Sequence, residues 1–350
     1  MQKENVMSFT AVLKEHIDRY PEMTPQDFCK LAYQSEFGPC HMLDNCEEAL
    51  VYIDREWSAL TACEEKRDPE YIGNGLSRFY MNGSKYSKEA SELLGKLFYL
   101  TAKEHQGSGY GLEKRLSELE KLSVSGMTDY LADYRRKGCN AVHHSEIYNE
   151  RYNPHYRLIK KEYAFYFDLL LKIMKLKKPC IISIDGRCGS GKTSLASIIK
   201  TVFDCNVFHT DDYYLPMDER PEGWERIPGG NIDYIRFKND VVITAKNGDT
   251  VNYTPYNCGK GEYGEAVTYS PKDLTVIEGS YSQHRILSYL YDLKIFLTCD
   301  EATQEQRLKN REGDYFVAFK KLWIPMEEFY IFSFDVELCC DYRLDTSKLF

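Results

Sequence analysis

Apolar residues recur at two different periods along this 350-residue chain, and the period changes near its midpoint. Up to about residue 175 the spacing is mostly helical. Phe28, Leu31, Ala32 and Tyr33 share one face behind Thr24-Pro25-Gln26-Asp27, where Thr24 suits an N-cap and Pro25 the first helical position. Helical spacing also covers residues 46–57, 88–103 and 111–122. Gly107-Ser108-Gly109-Tyr110-Gly111 is expected to be a flexible joint between the last two. One long amphipathic helix is expected over residues 154–178, carrying Tyr163, Tyr166, Phe167, Leu170 and Met174. It ends in Lys175-Leu176-Lys177-Lys178-Pro179, cations at a helix C-terminus followed by a breaker. That junction divides the chain into an expected helical domain, 1–175, and a second domain, 176–350.

From residue 180 onward short apolar runs alternate with helical segments. Residues 180–185, 206–210, 274–278, 293–298 and 340–344 read as strands. Such alternation predicts an α/β fold, a five-stranded parallel sheet covered on both faces, as in nucleoside-monophosphate-kinase-like proteins.

The first of these strands runs into Gly186-Arg187-Cys188-Gly189-Ser190-Gly191-Lys192-Thr193, followed by Ser194 and apolar residues at helical spacing. This is G-x-x-x-x-G-K-[ST] in the strand–loop–helix setting that makes the pattern a phosphate-binding loop, or P-loop. The glycines let backbone N–H groups turn inward around phosphate. The helix N-terminus and Lys192 add positive charge, and the Thr193 hydroxyl can hold Mg²⁺. A nucleoside triphosphate is the expected ligand.

Charge changes the picture by exclusion. A net charge of −9 with 28% charged residues suggests no nucleic-acid partner. There is no run of apolar residues long enough for a membrane span and no signal-peptide core near Met1. The 12 cysteines include no C-x-x-C pair and read as reduced, buried residues, so a cytoplasmic setting is expected. A homo-oligomer is compatible with this composition.

The chemistry around the loop comes from carboxylates at neighbouring strand ends. Asp211 and Asp212 follow the second strand in His209-Thr210-Asp211-Asp212-Tyr213-Tyr214, where a carboxylate can take the proton of an attacking hydroxyl. Glu278-Gly279 closes the third strand, a position suited to organising Mg²⁺. Arg307 and Arg311 lie in a cationic helical segment and are candidate contacts to the transferring phosphate.

These segments resemble, in order, those of uridine kinases and their phosphoribulokinase and pantothenate kinase relatives. Asp211-Asp212-Tyr213-Tyr214 is similar to D-x-[FY]-Y, and Asn231-Ile232-Asp233 with the following Phe237 to N-F-D-x-x-x-x-F. Pro255-Tyr256-Asn257 is similar to the Y-D segment and Ile277-Glu278-Gly279 to V-E-G. The resemblance spans about residues 180–345. It implies Asp211 as general base, Asp233 as a ligand of sugar hydroxyls, Tyr214 and Tyr256 along the nucleoside, and Glu278 beside the metal. The implied activity is ATP-dependent phosphorylation of a small-molecule hydroxyl, a uridine- or cytidine-like nucleoside first, with pantothenate or a sugar phosphate as alternatives. In one respect the pattern departs: Asn257-Cys258-Gly259-Lys260-Gly261-Glu262 lacks the histidine with which uridine kinases read the base. The reading from another class is a nucleotide-dependent switch with little phosphotransfer.

The first half matches no family pattern. Its polar candidates are Glu36, His41, His143, His144 and His155, which are more simply hydrogen-bonded residues than a metal site.

Overall fold

The computed structural model describes residues 8–39, 45–60, 67–82 and 84–349, which form two compact units meeting in sequence at Lys175–Leu176. The first unit is helical with an antiparallel sheet, and the sheet departs from expectation. The strands β1 (Glu70–Gly73), β2 (Leu76–Tyr80) and β3 (Tyr156–Lys160) pair in the order β1-β2-β3. The β1–β2 turn is Asn74-Gly75 with φ of 53° and 72°, both in the left-handed region that a tight type I′ hairpin turn requires. β3 replaces the start of the long helix expected over 154–178. In its place the chain forms a strand and then two short helices, Lys161–Phe165 and Phe167–Met174. Tyr156, Leu158 and Ile159 are buried, and β3 pairs with the whole of β2, so a distant partner outweighs local helical spacing.

The expected helices are present. Pro25–Phe37 opens with a capping box between Thr24 and Asp27. Cys46–Ala59, Lys88–Glu104 and Gly109–Leu119 are capped by the side chains of Asn45, Ser87 and Ser108. The joint at 107–111 is not loose. Ser108 donates its N–H to Glu36 Oε1 at 2.7 Å, and a Cβ on Gly111 would fall 2.1 Å from that same oxygen.

In the second unit the small strands β6 (Val251–Tyr253) with β9 (Val267–Tyr269), and β7 (Tyr256–Asn257) with β8 (Glu262–Tyr263), form two hairpins. The main sheet is built from β4 (Cys180–Gly186), β5 (Cys205–His209), β10 (Leu274–Glu278), β11 (Leu293–Thr298) and β12 (Tyr342–Asp345). All pairings are parallel, in the order β12-β11-β4-β10-β5. β4 and β10 are buried along their whole length, as strands covered on both faces must be. The chain order reverses at β4, so a crevice opens beyond its carboxyl end between β10 and β11. The helix Lys192–Val202 begins there, packing Leu195, Ala196, Ile199 and Val202 inward.

Candidate functional site

Two glycines allow the crevice to form. Gly186 has φ 137°, and a Cβ there would sit 2.0 Å from the Leu297 carbonyl oxygen. Gly279 has φ 131°, and its Cβ would meet Thr210 Oγ1 at 2.1 Å. The loop between Gly186 and the helix is braced from several sides. Asp185, buried and raised in pKa by that burial, accepts from Gly186 N at 2.7 Å, Gln283 N at 2.8 Å and Tyr330 OH at 2.7 Å. Lys192 Nζ reaches back to the carbonyls of Gly186 at 2.7 Å and Arg187 at 3.2 Å.

At the strand ends the expected carboxylates converge. The parallel register sets Glu278 between Ile184 and His209. Thr193 Oγ1 lies 3.3 and 3.4 Å from the two Glu278 oxygens. A hydroxyl and a carboxylate are hard oxygen donors, the set that Mg²⁺ takes when most of its shell is phosphate and water. Among the described residues no three His, Cys, Asp or Glu side chains converge in a metal cage.

Asp211 is exposed to water at the floor of the crevice, yet protein crowds it on the remaining sides. That desolvation, with the nearby Glu278 carboxylate, raises its pKa to about 6 against the pull of Lys192. Asp212 points elsewhere: its Oδ2 accepts from Tyr253 OH at 2.7 Å. The two neighbours therefore have separate surroundings, one facing the loop and the other tied to the β6 strand.

The other expected residues fall in mixed positions. Tyr214 pairs across a β-bridge with Ile232, and its ring lies 6.4 Å from that of Trp323. Asp233 caps a short helix by accepting from Arg236 N at 3.0 Å. Tyr256 is buried at the foot of the β7–β8 hairpin, edge-on to Tyr263. The two candidate phosphate arginines each have protein partners. Arg307 donates to the Gly189 carbonyl at 3.0 Å and to Thr346 O at 2.7 Å, bracing the loop from outside. Arg311 pairs with Glu312 on a side chain 57% exposed. Within the loop, Arg187 turns outward to Glu328 at 2.7 Å and Glu337 at 3.0 Å.

Sequence reasoning missed two residues here. His209 Nδ1 lies 2.5 Å from Glu278 Oε1, which raises the pKa of the imidazole. Its cue is the strand register, visible only once β5 is set beside β10. Glu327, buried on the helix Ile324–Ser333, accepts from Cys188 N at 2.8 Å and from the Ser280 hydroxyl. A buried carboxylate in an apolar helix is the signal that marks it.

In the first unit, Glu36 pairs with Arg115, and His155 lies 3.1 Å from Glu56. His143 is exposed, and His41 lies outside the described residues. His144 sits between Asp27 Oδ1 at 3.0 Å and Tyr156 OH at 2.7 Å. The Tyr156 hydroxyl is also 3.1 Å from Gln34 Oε1, which accepts from the fully buried Arg78 at 3.0 Å. Arg78 in turn pairs with Glu70 at 3.1 Å. This is a buried polar network, each charge held by an opposite one or by several hydrogen bonds.

With a phosphate-binding loop, a parallel sheet of this order and a carboxylate pair at the crevice, the chain can be set beside known proteins. It is 31% identical over 133 residues to a uridine kinase of Macrococcus caseolyticus, covering 36% of this chain and 65% of the relative. Over that stretch the chain is similar to uridine kinases. A uridine kinase of Bacillus subtilis is 29% identical over 140 residues, 35% of this chain and 63% of that protein. The chain thus spans a little under two thirds of the length of these uridine kinases. Among solved structures, a possible uridine kinase from Bacillus stearothermophilus superposes with TM-score 0.41 and 20% identity, covering 51% of this chain and 96% of that one. A D-glycerate 3-kinase from Cryptococcus neoformans gives TM-score 0.35 at 14% identity, covering 48% and 87%. No protein-family model matches. No helix among the described residues is long and apolar enough to cross a membrane.

Proposed function

We propose that this protein is an ATP-dependent phosphotransferase acting on a hydroxyl of a small molecule. The observation that carries the proposal is Asp211: a carboxylate raised to about 6, facing Lys192 and Glu278 at the mouth of the P-loop. A group of that pKa is ionised at neutral pH and basic enough to accept a hydroxyl proton as the new P–O bond forms. A nucleotide switch has no use for it.

The loop amides and Lys192 would hold the β- and γ-phosphates, the lysine exchanging its two carbonyl partners for phosphate oxygens. Thr193 and Glu278 would hold Mg²⁺, which when bound supplies positive charge against the phosphate oxygens. Asp211 would orient the acceptor hydroxyl and take its proton. Asp185, buried among three donors, keeps the start of the loop in place while this happens. Arg307 contributes by holding the Gly189 carbonyl outward. Tyr214 supplies an aromatic wall on the acceptor side, and the nucleosides that the relatives phosphorylate are the reference acceptors.

The test is ADP formation with ATP and Mg²⁺ in the presence of uridine, cytidine, pantothenate and sugar phosphates. Stimulation by one compound, lost in Lys192→Ala, is the expected outcome. Slow hydrolysis indifferent to every compound would instead favour the switch.

A further inference from the structure

We infer that Arg220 reads an acidic group on the acceptor, so that the substrate is a hydroxyl compound carrying a carboxylate or a phosphate. The inference rests on the kinase reading above and narrows its acceptor.

A row of neighbouring, tilted rings follows Tyr214, three residues after Asp211. Tyr214 follows Asp211 in the same turn, and its ring centroid is 6.4 Å from that of Trp323. Trp323 lies 6.1 Å from Trp224, and the Arg220 guanidinium sits 4.4 Å over the Trp224 ring. The row is anchored at its far end as well. Arg220 Nε donates to the Leu215 carbonyl at 3.0 Å, and Leu215 N bonds to Asn231 O at 2.9 Å. One nitrogen is thus used to fix the plane of the guanidinium, and the two terminal nitrogens remain as a fork.

Among the described residues no carboxylate forms an ion pair with that fork, although Asp218, Glu219, Glu222 and Glu225 are close in sequence. Cys258 lies on the turn after β7. Its thiol is pushed up by burial, drawn down by Arg220 and pushed up by Asp211, so both charges bear on one position. This turn, Asn257–Glu262, is where a base-reading histidine is missing.

A fixed guanidinium fork matches the two oxygens of a carboxylate or phosphate. The indole beneath it covers one face and leaves the edge to the ligand. A neutral nucleobase would exchange the hydration of a full charge for weaker bonds, so the site disfavours it.

The experiment uses the full chain with ATP and Mg²⁺ and matched acceptor pairs: pantothenate against panthenol, ribulose 5-phosphate against ribulose, with uridine and cytidine as neutral nucleosides. The expected result is turnover of one acidic member and none of its neutral partner, and which pair responds distinguishes carboxylate from phosphate. Arg220→Met should raise the KM for that acid by about tenfold or more and leave the KM for ATP in place, with partial recovery in Arg220→Lys. Two of the three tryptophans flank the site, so the acid should also perturb intrinsic fluorescence in the wild type and not in Arg220→Met. Preferred turnover of uridine or cytidine, with their KM unmoved by Arg220→Met, overturns the acidic acceptor while the kinase reading stands. ATP hydrolysis that responds to no acceptor overturns the kinase reading and this inference with it.

Discussion

A carboxylate with a pKa of about 6 changes charge just below neutrality, and Asp211 is such a group. kcat/KM is therefore expected to fall as pH drops through 6, and the residual activity of Asp211→Asn should lack that acidic limb. At pH 8 the Asn variant should lose about 10²–10⁴-fold in kcat, the usual scale for a general base, with little change in ATP affinity. Asp212→Asn should be far milder in kcat, because Asp212 is engaged with Tyr253, and should show up instead as a lowered melting temperature. Steady-state kinetics and ATP titration of both variants separate the two roles. Asp211 also carries a stability signature of definite sign. Its folded pKa lies above the ordinary 3.8, so its contribution is complete below that value and lost as pH rises through 6. Asp211→Asn should accordingly raise the melting temperature at pH 8 and leave it nearly unchanged at pH 3.5.

Among the elements, the P-loop strand and helix were legible because their signals are local: a buried apolar run, three glycines at fixed spacing, then helical periodicity. All five main strands were found within about two residues for the same reason. The β1–β2 hairpin also had a local signal, Asn74-Gly75 between apolar runs, which was passed over among the helices. β3 had none. Tyr156, Leu158 and Ile159 fit a strand or a helix over so short a span, and only pairing with Leu76–Tyr80 decides. The acceptor side was partly hidden too: Trp224 and Trp323 meet through tertiary packing, and their sequence separation says nothing of it. The hairpin offers a direct check. With φ of 72° at Gly75, Gly75→Ala should destabilise the first unit by about 1–2 kcal/mol, read by urea denaturation.

At the scale of the whole molecule, the two units should respond differently to acid. In the first unit the Asp27 carboxyl is held well below its usual range by hydrogen bonds from His144, Ser145 and Thr24 that outweigh its burial. Glu70 is likewise depressed by His16 and Arg78. Burial lowers the His144 imidazole to about 4. Each sign points the same way. The unfolded chain takes up protons that the folded unit refuses, on His144 between pH 6.5 and 4 and on the two carboxylates below about 4.5. The second unit has one imidazole lowered to about 4 by burial in the same way, His284, but its His209 is raised and its carboxyls Asp185 and Asp211 are shifted the other way. Calorimetry at pH 5 should therefore show the first unit melting earlier relative to the second than at pH 7.5. The buried cluster around Ile181, Phe208, Ile277 and Phe296 of the main sheet is built from residues after Lys175. Residues 176–350 expressed alone should therefore melt cooperatively and bind ATP; an insoluble fragment would show that this core is insufficient.

The crevice at the end of β4 exists because two glycines leave no room for a methyl group: Gly186 against the Leu297 carbonyl, and Gly279 against the Thr210 hydroxyl. That closeness also governs heredity. In a saturation library selected for function, positions 186 and 279 should come back as glycine alone, the former because backbone cannot step aside for any side chain. Gly248 and Gly313 have positive φ but open space around them, so they should return asparagine as well. The chain's tolerance of change is thus written in its free volume, and the nucleotide mouth is where that volume runs to zero.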